Sequence, residues 1–127
     1  MIFTKEDSMT LDTPIKHVTS AQELKELITR TKNVMVCCGR MGPMCLPVYD
    51  AMDELQKDGG YDHVEFRDML FDDPESAYIR QLPECATFRG LPFTVYWKDG
   101  KVVKATSSIQ TKEQVQGILD ASFSNQG

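Results

Sequence analysis

The chain has 127 residues, enough for one domain with a proper core and too few for two. Hydrophobic residues make up 41% and charged residues 26%, the balance of a globular protein. A formal net charge of −5 leaves no basic surface to neutralise a phosphate backbone, so nucleic acid is not an expected partner. The longest apolar runs, Val34 to Cys38 and Leu91 to Trp97, fall far short of a membrane span, so none is expected.

Residues 1–14 are polar without clear periodicity and read as a loosely ordered arm. Their start carries Lys5, Glu6 and Asp7 where a secretory signal needs an unbroken apolar stretch. The expectation is therefore a cytoplasmic protein, in which four cysteines serve as thiols, redox groups or metal ligands rather than as a disulfide framework. Ile15 to Val18 is a short strand. Ser20-Ala21-Gln22-Glu23 has the form of a capping box, and Leu24, Leu27 and Ile28 give the following helix an apolar stripe running to about Thr31.

Val34 to Cys38 is a compact apolar run, suited to a central strand buried on both faces. A turn-rich connection, Gly39 to Met44, leads into a helix with Val48, Ala51, Met52 and Leu55 on one side. Pro43 and Pro47 lie near its start, where a missing N–H matters least, and Asp58-Gly59-Gly60 ends it. His63 to about Leu70 is the next strand. Asp73-Pro74-Glu75 caps a helix carrying Tyr78, Ile79 and Leu82, which Pro83 stops. Phe93, Val95 and Trp97 alternate with Thr94 and Tyr96 in a strand, and Lys98-Asp99-Gly100-Lys101 turns the chain back through Val102 to Ala105. Thr111-Lys112-Glu113-Gln114 opens a last helix with Val115, Ile118 and Leu119 inward.

The order is βαβαβα, then a β-hairpin, then a helix: an α/β domain over 15–123 with a short tail, 124–127. Strands alternating with helices require right-handed crossovers, a central parallel sheet and helices on both faces, with the hairpin adding an antiparallel edge to make the sheet mixed.

That order, with Phe88-Arg89-Gly90-Leu91-Pro92-Phe93 running into a strand and Lys98-Asp99-Gly100-Lys101 closing the hairpin, resembles the thioredoxin family. The resemblance covers about 15–123. It implies that Pro92 is a cis-proline facing a redox site, and that Leu91-Pro92 offers backbone groups to an extended substrate segment. In thioredoxins the connection after the second strand carries Cys-x-x-Cys, the first cysteine exposed at a helix N-terminus that favours its thiolate. Here that position reads Gly42-Pro43-Met44-Cys45, so glycine stands where the nucleophile would be and only the second cysteine remains. The family's buried aspartate in the preceding strand is also missing, its position falling near Val36.

Cys38 and Cys45 bracket six residues, and a loop of that length can bring two Cα atoms within the roughly 7 Å a disulfide needs. The pair reads either as attacking thiol (Cys45) and resolving thiol (Cys38), or as two small buried hydrophobes. Cys37, next to Cys38 in a strand, points to the opposite sheet face and reads as core. Cys85 reads as an exposed loop cysteine or an accessory thiol. Met41 and Met44 read equally as an adaptable apolar rim for an extended peptide and as gap-filling core, whereas Met35, Met52 and Met69 read as core. Arg40 reads as a solvated turn residue or as a cation beside a thiolate. Cys37, Cys38, Cys45 and His63 match no familiar zinc spacing, and His17 and His63 show no catalytic partner.

Two functions follow from the resemblance. One is an atypical thiol–disulfide oxidoreductase acting on protein thiols through Cys45 and Cys38, with a reductase partner and no bound cofactor. The other is a non-catalytic binding module that keeps the fold and the proline groove, Gly42, Pro43, Met44, Leu91 and Pro92, without exchange chemistry.

Overall fold

The computed structural model describes residues 11–123; most of the expected N-terminal arm and the 124–127 tail lie outside them. The elements are β1 (Lys16–His17), α1 (Ala21–Arg30), β2 (Asn33–Gly39), α2 (Leu46–Lys57), β3 (Glu65–Leu70), α3 (Ala77–Arg80), β4 (Phe93–Lys98), β5 (Lys101–Ser107) and α4 (Lys112–Ser122), with 3-10 turns at Pro74–Ser76 and Pro83–Cys85 flanking α3. One mixed sheet has the order β1-β3-β2-β4-β5. β1, β3 and β2 run parallel, and β4 and β5 are antiparallel additions.

Local chemistry accounts for the elements. Ser20 accepts a hydrogen bond from the Glu23 N–H at 3.0 Å, but the Glu23 carboxylate reaches Thr19 N (2.9 Å) instead of closing a box on Ser20. Thr111 and Gln114 do form the reciprocal box at α4. Asp99 and Gly100, with φ of 52° and 82°, make the tight turn the hairpin requires. The helix expected after Asp73 is a single α-turn between two 3-10 turns, because only eight residues separate Pro74 from Pro83 and the second proline cannot continue it.

The sheet separates two cores. On one face α2 and α4 bury Val48, Tyr49, Met52, Leu55, Val115 and Leu119 against Met35, Cys37, Phe66 and Tyr96. On the other, α1 and α3 bury Leu24, Leu27, Ile28 and Ile79 against Val34, Val36, Cys38, Val95 and Trp97. Leu11 is buried in the first core and Thr13 hydrogen-bonds to Asp68, so packing begins ahead of Ile15. No helix among the described residues is long and apolar enough to cross a membrane.

Candidate functional site

Cys45 is the N-cap of α2. The turn before it is pinned by Cys45 N and Leu46 N donating to Gly42 O at 3.0 and 3.1 Å, and Pro47 sits in the first helical turn, where it interrupts no ladder. The Cys45 Sγ packs over Gly39 at the end of β2 and accepts the Arg40 N–H at 3.4 Å. The Tyr49 hydroxyl, one turn along α2, donates to Arg40 O at 3.1 Å.

Pro92 closes the same spot from the loop that leads into β4. A Cβ built on Gly39 would lie 2.8 Å from Cys45 Sγ, 2.9 Å from the Tyr49 oxygen and 3.0 Å from Pro92 Cβ. Glycine is therefore what lets strand, helix and proline loop converge. The Leu91–Pro92 peptide is cis, and the loop is held by Ser108 N, which donates to both Gly90 O and Pro92 O. Cys45 itself is only 2% exposed. Around it, Met41, Met44 and Leu46 are 42%, 44% and 38% exposed, so these two methionines form a rim, while Met35, Met52 and Met69 are core.

Arg40 lies at this rim in an ion pair with Asp72, Nε and Nη2 each 2.8 Å from a carboxylate oxygen. Its guanidinium and that of Arg80 both stack on Phe71, at 5.4 and 5.5 Å from the ring centre. It is thus committed to Asp72 and Phe71 as well as to the turn.

Cys38 is not brought to Cys45. Its side chain lies in the other core, behind the sheet, with Ile79 and Cys85. Burial pushes the Cys38 thiol up to about 12, against smaller opposing effects of Ser76 and Arg80. Cys85 is not an exposed loop residue. It is buried 2% exposed in the same core, and burial pushes its thiol up to about 11. The cysteine that shares a face with Cys45 is Cys37, whose thiol burial raises well above its ordinary value. All four cysteines are free thiols.

Asp68, and with it the pairing of His17, escaped the sequence reading. Asp68, in β3, is fully buried, accepts from Thr13 and lies 2.6 Å through Oδ1 from His17 Nδ1. Burial holds its carboxyl above the usual carboxylate range, opposed by Thr13 and His17. His17, which shows no catalytic partner in the sequence, thus pairs with a buried carboxylate, whereas the Nε2 of His63 lies 2.8 Å from the backbone oxygen of Phe123 and gains no catalytic partner. The signal was available: in a strand, Phe66 and Asp68 must face the same side, which puts a carboxylate at a core position. Among the described residues no three His, Cys, Asp or Glu side chains converge as a metal ion requires.

No family model matches the chain, and no curated protein matches it by sequence. Solved structures do match. Thioredoxin 3 of Saccharomyces cerevisiae mitochondria is 24% identical and superposes with a TM-score of 0.66 over 84% of this chain and 94% of its own. Malassezia sympodialis thioredoxin gives 16% identity and 0.69 over 88% and 93%. A Halobacterium salinarum thioredoxin variant gives 14% and 0.66 over 88% and 95%.

The chain has the thioredoxin fold. Within it, Cys45 caps the helix that follows the second strand, and Pro92 leads into the fourth. Identities this low establish the fold and leave the chemistry to be argued from this chain's own residues.

Proposed function

We propose that this chain is an atypical thiol–disulfide exchange protein that acts on protein thiols through Cys45, within the working unit 15–123, in a reducing cytoplasmic setting and with a partner that restores its reduced state. The observation that carries the reading is the position of the Cys45 sulfur. It lies between a helix N-terminus, a backbone N–H and a proline loop, and the exposed Met41 and Met44 border it. Pro43, Leu91 and Pro92 would flank an extended substrate segment lying along the rim, and the two methionines would adapt to its side chains.

A second reading, a thioredoxin-fold binding module without exchange chemistry, is favoured by two observations: Cys45 is nearly fully buried, and Gly42, which carries no thiol, stands where the resemblance would place the nucleophile. Differential alkylation with peptide mapping across a series of thiol–disulfide redox buffers separates the two. Exchange chemistry requires Cys45 to be reversibly oxidised and a Cys45→Ser variant to lose thiol transfer while staying folded. A Cys45 that stays reduced in every buffer would leave the binding module standing.

A further inference from the structure

A single rung of residues in register crosses all five strands. His17 pairs with Asp68, Asp68 with Cys37, Cys37 with Thr94, and Thr94 with Thr106. Directly paired residues share a sheet face, so the whole rung faces α2 and α4, the side on which Cys45 and Tyr49 lie. A line of five polar or sulfur-bearing residues across a sheet's inner face is the opposite of what core packing alone selects. The Thr94 and Thr106 hydroxyls are buried without a hydrogen bond, and Asp68 is fully buried.

The rung reaches water at one end. His17 keeps 30% of its side chain exposed. Beside the dyad is a crevice of about 20 Å³, bordered by His17, Asp68, Thr19 and Asp73, which has room for about one water molecule. At the other end of the dyad, strand spacing puts Asp68 one rung step, about 4.8 Å along the hydrogen-bonding direction, from Cys37.

We infer that Cys37, rather than Cys38, is the thiol that resolves with Cys45, and that Asp68 takes its proton and passes it through His17 to solvent. The inference rests on Cys45 being the exchanging thiol. In the direction of substrate reduction, the Cys45 thiolate attacks a disulfide of the partner protein, forming a mixed disulfide and releasing one partner thiolate. Cys37 then gives its proton to the Asp68 carboxylate, and its sulfur attacks the Cys45 sulfur. The Cys37–Cys45 bond forms as the bond from Cys45 to the partner breaks, and the second partner sulfur leaves as a thiolate. The Cys45 thiolate and the Cys37 thiol are together oxidised by two electrons, and one partner disulfide is reduced to two thiolates, which take up protons from solvent, where the Cys37 proton has gone through Asp68 and His17. Asp68 has to be reloaded for the reverse direction, which the His17 end provides.

Polar and titratable groups face this region from several sides. Thr13 and His17 meet Asp68 from the N-terminal segment and β1, Cys37 flanks it from β2, and Cys45 and Tyr49 come from α2. Burial raises the Tyr49 hydroxyl, and negative charge on Cys37, Cys45 or Asp68 adds to that. Tyr49 therefore stays neutral and takes no proton from Cys37.

Glutathione disulfide as oxidant, followed by quench and mass mapping, tests each part. Wild type and Cys38→Ser should both close a Cys37–Cys45 disulfide, and Cys37→Ser should stop at a Cys45–glutathione adduct. Asp68→Asn, checked for native circular dichroism, should slow release of the second glutathione by about a hundredfold near neutral pH and move its rate–pH profile upward. His17→Gln should shift the same profile by less. A Cys38–Cys45 bond, or resolution without Cys37, overturns the assignment. An unchanged rate–pH profile in folded Asp68→Asn overturns the proton route. If no variant forms any adduct at Cys45, the exchange reading itself falls and takes this inference with it.

Discussion

At the scale of single residues, Gly39 and Gly42 should behave oppositely although both lie in the same connection. An alanine Cβ at Gly39 would come within 3.0 Å of a sulfur, a phenol oxygen and a proline carbon, and two of these belong to rigidly held groups. Overpacking of this kind costs about 1–3 kcal/mol. At Gly42 nothing lies within 4 Å of the added atom, so Gly42→Ala should stay within about 0.5 kcal/mol of wild type. Urea midpoints at constant slope decide the matter, and equal midpoints for the two variants would refute the close packing described around Cys45. Asp68 gives a second residue-scale expectation, with a sign. Its folded carboxyl titrates above the unfolded value of about 3.9, so in that window the native state holds more protons than the unfolded chain. Stability contributed by this group therefore falls as pH rises through the window and levels off above it. Asp68→Asn lacks that dependence, so its stability relative to wild type should climb from about pH 4 upward, as measured by urea unfolding across the pH range. A relative stability that declines with pH would show that the His17 and Thr13 bonds outweigh burial.

At the scale of elements, periodicity and caps carried most of the fold. The stripes Leu24-Leu27-Ile28 and Val48-Ala51-Met52-Leu55 are the faces that α1 and α2 bury, and the Asp99-Gly100 turn is where the hairpin reverses. The candidate site was legible only in part, and β2 shows why. All seven of its residues are buried, so its sequence contains no polar alternation to say which of Cys37 and Cys38 faces which helix. The face is fixed instead by tertiary packing, namely the seating of Cys45 on Gly39, two residues on from Cys37. Parity then puts Cys37 with Cys45 and sends Cys38 behind the sheet to Cys85. At β1, where the expected strand did form, the reason is different. A two-residue strand has no periodicity, so the pairing of His17 with Asp68, 51 residues away in sequence, had no local trace. Asp68 alone left a mark, as a carboxylate at a core position of β3.

At the scale of the whole molecule, the four thiols sample different depths of the structure despite nearly equal burial. Cys37 and Cys38 lie on β2, which has β3 on one side, β4 on the other and a helical layer over each face. Exposing either one requires separating the sheet, which amounts to global unfolding. Cys45 sits at a helix terminus among exposed apolar side chains, and Cys85 in a 3-10 turn of three residues. Fraying of one turn is enough to uncover either of these. Local openings cost less free energy than the global transition and expose less surface, so they respond weakly to denaturant. Alkylation of the reduced protein at neutral pH, read by peptide mass spectrometry at increasing sub-denaturing urea, should label Cys45 and Cys85 first and almost independently of urea. Cys37 and Cys38 should follow together, with the urea slope of global unfolding. Labelling of Cys37 as fast as Cys45 and without urea dependence would mean that β2 opens separately from its neighbours. The two cores would then not be joined through it into one cooperative unit.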